Sequence, residues 1–243
     1  MSSIQSRARR AGVIYFVMSV FGAPMLLFLP KFVVAGNAAA TAENIAAGEG
    51  TYRLLLLGGL VGTILFAVLG WSLYHLFEDV DRKQATLMLC LVLVSATIGL
   101  LDVVLLTTPL VLRSGTGFLS VFSPAQLDAL ALGALRVRSF EVRADEALWG
   151  LWLVPFGILV IRSGFIPKII GVLLLVAAVG YVAMSVTYIG FPAYLAPVDR
   201  IGMILIQGEL PVILWLLIAG ARRVSPSAVV GTPAMNERAP AVG

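Results

Sequence analysis

The feature that most constrains this chain is a series of six apolar blocks, each long enough to cross a bilayer. Lipid offers no partner to a backbone N–H or C=O, so single apolar passes must be α-helices. A hydrocarbon core of about 30 Å takes about 20 residues at 1.5 Å each. The spans are expected over 11–30, 52–77, 85–112, 147–161, 169–191 and 201–220. The fourth is short, so it is extended outward through Phe140–Glu146 or accommodated by local thinning. Only 12% of residues are charged and 60% are hydrophobic, against about 25% and 45–50% in a soluble domain. The fold class is therefore an all-α polytopic membrane bundle. It is expected as one six-span domain, 11–222, between a basic cytoplasmic N-terminus, 1–10, and a disordered cytoplasmic tail, 223–243.

The first block also admits a signal-peptide reading, with small residues at Ala38-Ala39-Ala40, but its length suits a span better than a signal core. Orientation follows from the basic residues of the short connections. Arg7, Arg9 and Arg10 precede span one, Arg82 and Lys83 follow span two, Arg162 and Lys168 bracket the turn after span four, and Arg222 and Arg223 follow span six. Both termini are expected in the cytoplasm. Lys31–Gly50 and 113–146 then form the longer outer loops. In the second of these, Ser123-Pro124-Ala125-Gln126 is a capping box with proline at the first helical position. Leu127, Leu130, Ala131, Ala134 and Leu135 follow at helical spacing, which predicts a short helix on the membrane surface or over the bundle mouth. Ser163-Gly164-Phe165-Ile166-Pro167-Lys168 reads as a tight turn between two helices.

A net charge of +4 is scattered between apolar blocks, which is not a nucleic-acid footprint. Cys90 and His75 are the only residues of their types, so an internal disulfide, a Cys/His zinc site or a bis-His haem has no material here. No nucleophile elbow, zincin helix, phosphate loop or dinucleotide fingerprint is present. No cofactor and no enzymatic reaction are expected. His75, near the inner end of span two, suits an interfacial position or a pH sensor.

The candidate polar site is Asp102, Glu209, Gln207 and Arg53. An ionisable group near the middle of a span costs roughly 2.5–3.5 kcal/mol on insertion scales and so has to face inward. Pro211 lacks the N–H that would bond the Gln207 carbonyl, predicting a kink and a freed acceptor beside Glu209. Asp102 and Glu209 come out roughly 15 and 12 Å from the outer ends of their spans, so they suit one shared, proton-sharing site. Two alternatives stand beside that. One is a pairing of Arg53 with either acid; the other is a structural carboxyl bonded to the backbone or to Thr107 or Thr187. Gly58-x-x-x-Gly62 permits close helix approach, within the bundle or in a homodimer.

Several stretches resemble the bacterial six-span membrane proteins classed as domain of unknown function 4386. They are Arg10-Ala11-Gly12, Thr41-Ala42-Glu43-Asn44-Ile45, Leu73-Tyr74 with Val80-Asp81-Arg82, Arg162 to Gly171, and Gly208-Glu209-Leu210 with Trp215-Leu216-Leu217. The resemblance implies a multi-pass protein of the bacterial cytoplasmic membrane, without an assigned reaction and without active-site residues to transfer. The functional expectation is a non-enzymatic membrane protein whose polar site in the outer half serves sensing, ligand binding or partner assembly. Its expected partners are the bilayer, a small ligand or a proton, and no nucleic acid. The alternative is a proton-coupled secondary transporter of a small solute. The orientation has a direct test: in intact cells, Ser120→Cys labels with an impermeant maleimide and Ser227→Cys does not, and the reverse pattern means the bundle is inverted.

Overall fold

The computed structural model describes residues 2–221, and the tail expected over 223–243 lies outside them. The described chain is helical throughout its long elements, six of which are long and apolar enough to cross a membrane. The elements are α1 (Ser2–Phe28), α2 (Ala38–Ala47), α3 (Glu49–Phe77), α4 (Arg82–Leu112), α5 (Pro124–Ser163), α6 (Lys168–Gly190), α7 (Leu195–Leu205) and α8 (Leu210–Leu214). The last span is a composite. After α7 comes a 3-10 turn over Ile206–Glu209, then α8, then a π turn over Trp215–Ala219.

Neighbours in sequence are neighbours in space. α1 packs on α3, α3 on α4, α4 on α5, α5 on α6 and α6 on α7, and α1 closes the ring against the π turn. That closure is a backbone contact. A Cβ added to Gly12 would lie 2.4 Å from the carbonyl carbon of Leu216. Gln5 from α1 then caps the end of the last span: its Nε2 donates to the Ala219 carbonyl at 2.9 Å, and the Ala221 N–H donates to its Oε1 at 2.9 Å. On the same face, here the near face, Arg7 donates to the His75 carbonyl at 2.9 Å at the end of α3. Of the near-face turns, the one at 163–168 follows its sequence signal, and the other is closed by a cap that the sequence reading had not singled out. Asp81 caps α4 through the amides of Lys83 and Gln84, and Gly164 ends α5 at φ 72°.

Gly58 and Gly62, expected to serve packing or a dimer, are used inside this bundle. Their added Cβ atoms would meet the Phe21 carbonyl oxygen at 2.9 Å and the Gly22 Cα at 3.1 Å, so they bring α3 onto α1. The separate surface helix expected after Ser123 is replaced by something longer. The capping box forms, but the helix it opens runs unbroken into span four as the 40 residues of α5. At 1.5 Å per residue α5 is about 60 Å long, twice the hydrocarbon thickness. The physical reason lies in α2, which the sequence reading left as a connector. α2 packs on α5, and Leu135, 3% exposed, joins Ile45, Tyr52 and Leu106 in a far-face cluster. Ala131 and Leu135 of the stripe over 127–135 are thus turned towards protein, while Leu130 stays exposed.

Two apolar clusters result. The larger fills the near half with Tyr15, Leu73, Phe77, Met88, Trp152, Phe156 and Leu174, and the smaller closes the far end under α2. Between them the side chains turn polar. The near-face closure makes a sharp prediction. Gly12→Val forces α1 off the last span and lowers stability by about 1–3 kcal/mol, the usual cost of overpacking. Gly133→Val, where an added Cβ meets nothing within 4 Å, changes little beyond helix propensity. Thermal melts of the two variants in matched detergent check it.

Candidate functional site: a polar cavity inside the bundle

The polar layer is built chiefly by α5. Arg138, Glu141, Asp145, Trp149 and Trp152 recur at steps of three and four, so one helix face presents them in a column. They line a cavity of about 370 Å³ to which all six spans contribute, within the ~300–1,000 Å³ range of small-molecule sites. Its walls mix Tyr15, Phe66, Trp149, Trp152 and Tyr181 with the carboxyl groups of Asp102, Glu141, Asp145 and Glu209.

Each acid is held differently. Asp102, from α4, takes a two-toothed ion pair from Arg138, with Nε–Oδ1 at 2.6 Å and Nη2–Oδ2 at 3.3 Å. The two side chains are only 7% and 12% exposed. Planar guanidinium matches planar carboxylate there, which fixes α4 against α5. Asp145, 4% exposed, accepts at Oδ2 from Ser95 Oγ at 3.0 Å and from Trp149 Nε1 at 2.8 Å. Its Oδ1 is buried with no partner, while the Glu141 carboxyl hydrogen-bonds that of Asp102. Glu209 is gripped by two phenols. Tyr15 of α1 donates to its Oε1, and Tyr181 of α6 donates to Oε2 at 3.2 Å. That grip ties together spans one, five and six.

The last span reaches this position because of Gly208 and Pro211. A Cβ on Gly208 would sit 2.5 Å from the Leu173 carbonyl oxygen, so only glycine lets the turn lie on α6. Pro211 interrupts the regular ladder as expected, but the Gln207 carbonyl is not left free. The chain tightens into a 3-10 turn and the Leu210 N–H takes it. This corrects the expected orphan acceptor: a shift from i−4 to i−3 bonding re-satisfies a backbone group that lipid could not.

The residues expected to form one site are partly brought together. Asp102, Glu209 and Gln207 all line the cavity. Asp102 and Glu209 do not hydrogen-bond each other among the described residues. Arg138 answers one and the two tyrosines answer the other, so the geometry corrects the proton-sharing pair. Gln207 bonds its own helix, through Nε2 to the Met203 carbonyl at 3.2 Å. Arg53 is elsewhere: it pairs with Glu49 at 2.7 Å, 58% exposed, one turn away on α3, because its stem begins beyond the cavity at the far end of the span. Thr107 bonds the Val104 carbonyl rather than an acid. His75 sits on the near face with Glu78 at 2.9 Å and Trp71 edge-on at 4.6 Å.

A model of one protein family matches residues 10–220, nearly the whole described chain. The chain belongs to the family described as Domain of unknown function (DUF4386). Comparison with proteins of curated function and with solved structures returned no match. For this DUF4386 protein the site is therefore defined by its own geometry.

The groups that sequence reasoning missed are Arg138, Glu141, Asp145, Tyr15 and Tyr181. Three of them lie in the segment read as a loop and its border. The signal was there: Arg138, Glu141, Asp145 and Trp149 share a face once the helix is extended back to Ser123. Tyr15 and Tyr181 carried no such signal, since an isolated tyrosine in an apolar block fits any packed core.

Separate partners imply separable energetics. Arg138→Met leaves Asp102 unpaired and costs about 3–5 kcal/mol. Combined with Asp102→Asn, its cost is well below the sum of the singles. Asp102→Asn with Glu209→Gln adds to within about 0.5 kcal/mol, because the two share no partner. Denaturation of the five variants in one detergent checks both statements, and strong non-additivity in the second pair would restore a shared acid site.

Proposed function

We propose that this protein binds a small molecule inside the bundle, in a non-catalytic role of sensing or carriage, with the cavity as its ligand site. The observation that carries the reading is the cavity itself, a space of about 370 Å³ walled by six spans. Its lining sets four carboxyl side chains, of Asp102, Glu141, Asp145 and Glu209, among tyrosine and tryptophan rings. A concave space with apolar and aromatic walls and a few convergent polar groups is the usual form of a small-molecule site. The resemblance and the arginine-rich near-face turns support a setting in the bacterial cytoplasmic membrane with both termini inside.

The broken last span favours a second reading, proton-coupled carriage of a solute. Secondary transporters place acids on interrupted helices near the midplane, and Glu209 lies on such an interruption. In that case Glu209→Gln abolishes uptake driven by a pH gradient in proteoliposomes while leaving binding intact.

Gly22 provides the test of the ligand site. It lines the cavity, and an added Cβ there meets nothing within 4 Å. Gly22→Leu should therefore fold, with a gain of about 0.5–1 kcal/mol from helix propensity, while filling part of the space. In a thermal-shift screen of small molecules on nanodisc-embedded protein, compounds that stabilise the parent and the Gly133→Leu control should lose their effect in Gly22→Leu. A screen whose every hit survives Gly22→Leu would remove the cavity as the ligand site.

A further inference from the structure

We infer that the occupant of the cavity is an uncharged lipophile carrying a hydrogen-bond acceptor, such as a ketone or ester carbonyl, with the Trp152 indole N–H and the Thr63 hydroxyl as its donors. The inference rests on the cavity being a ligand site and names the chemistry that site takes.

The charged groups of the wall are already answered from within the protein. Arg138 is committed to Asp102 through two bonds, and the Glu141 carboxyl bonds Asp102 as well. Glu209 is held at both oxygens by Tyr15 and Tyr181, and Asp145 is held at Oδ2 by Ser95 and Trp149. The oxygens left over on Glu141 and Asp145 are buried, out of a ligand's reach. A charged ligand finds no free counter-charge here and has to break one of these partnerships to enter. An unpaired charge is the costliest group to take out of water.

Two other polar groups of the wall are not answered. Trp152 lines the cavity at 2% exposure, and its indole N–H donates to nothing among the described residues. Thr63 lines it too. A threonine inside a helix commonly turns its hydroxyl back onto the carbonyl four residues earlier, as Thr86 and Thr97 do at 2.8 Å. The Thr63 hydroxyl makes no such bond among the described residues. It points across to α4, where a Cβ added to Gly99, another lining residue, would lie 3.0 Å from its Oγ1. Phe66, one turn from Thr63 on α3, meets Trp152 edge-on at 5.5 Å, which sets the two donors on neighbouring parts of the wall. An indole N–H can only donate, and a hydroxyl can donate as well as accept. The ligand group that both can serve is an acceptor, and a carbonyl oxygen brings two lone pairs.

The rest of the wall suits an apolar body. Met18, Met25, Phe66, Ala96 and Ile213 line it, and methionine adapts to irregular apolar shapes. An apolar protein cavity of about 150 Å³ takes benzene. At about 370 Å³ this one has room for two fused rings with a substituent. The lining residues that are also exposed include Ala23 and Leu26 on α1 and Gln207 and Leu210 on the last span, three of them apolar. All four lie within the first and last spans, so the cavity is bordered there by lipid, the phase in which a lipophile accumulates.

The test uses the full-length protein in nanodiscs, with empty nanodiscs as the partition blank. The probes share one skeleton substituted at the same carbon: acetylnaphthalene, ethylnaphthalene, naphthoate and naphthylmethylammonium. Binding is read by calorimetry and by thermal shift. The ketone should bind about three- to tenfold more tightly than the hydrocarbon, the worth of one neutral hydrogen bond. It should bind about tenfold or more tightly than either ion. Thr63→Val keeps the shape of its side chain and Trp152→Phe keeps a ring. Each should weaken the ketone about threefold or more and leave ethylnaphthalene unchanged, and Gly22→Leu should abolish both. Weakening in one donor variant alone keeps the acceptor and assigns its donor, and Thr63→Val decides if Trp152→Phe does not fold. If the hydrocarbon or either ion binds as tightly as the ketone, with loss in Gly22→Leu, the cavity remains a ligand site and the neutral, acceptor-bearing class is overturned. Ketone binding unchanged in the folded donor variants, or surviving Gly22→Leu, also overturns it. So does a folded parent that binds none of the four, while hits from the wider screen would leave the ligand site itself standing.

Discussion

A membrane span cannot leave a polar atom to water, and this single constraint organises the whole bundle. Every acid carried into the apolar zone draws in partners on its own or neighbouring helices, and those partnerships set which helices meet. Asp102 with Arg138, and Asp145 with Ser95, hold α4 to α5. Glu209 with Tyr15 and Tyr181 gathers α1, α6 and the last span. Outside the cavity, Arg143 reaches both Asp199 at 3.0 Å and Glu146 at 3.2 Å, adding a tie between α5 and α7. Apolar packing alone discriminates weakly between helix partners in lipid, because the tails are as apolar as the side chains. Specific polar contacts do that sorting here.

Backbone proximity is the second requirement. Gly12, Gly58, Gly62 and Gly208 stand where a side chain would collide with a neighbouring main chain or close against it. They bring α1 onto α3 and the last span, and the last span onto α6. α1 meets the last span along α8 and the π turn. The cavity is lined by residues of both and of the other four spans. Pro211 contributes to the same geometry: the missing N–H is absorbed by a 3-10 turn, and a π turn downstream restores the helix end against Gln5. Irregular backbone at membrane depth is tolerated where it lines a cavity or lies buried in protein.

The polar column on α5 shows how function and stability meet in one element. Its five side chains include the arginine of an ion pair, a carboxylate held by Ser95 and Trp149, a second carboxyl bonded to Asp102, and two indoles. Removing the ion pair would loosen two spans. The same face that ties α5 to its neighbours also walls the cavity, which is why it carries the functional reading.

The sequence by itself determined the class, the number of spans and most of their limits. Hydrophobic run length against a fixed bilayer thickness leaves little choice, and caps such as Asp81, Ser123 and Gly164 act within a single turn of chain. It also marked Asp102 and Glu209 as inward groups, since lipid cannot receive them. What only the tertiary structure decided is which groups answer them. Arg138 and the two tyrosines lie 36, 194 and 28 residues from their acids, and no local pattern encodes such a meeting. Arg53 failed as a partner for the same reason: its depth was legible, but the closer claim of Glu49 and the direction of its stem were not. The length of α5 was misjudged because its polar face looked like a loop until α2 and α4 were present to cover it. Periodicity states that a face exists, and only packing states what it faces.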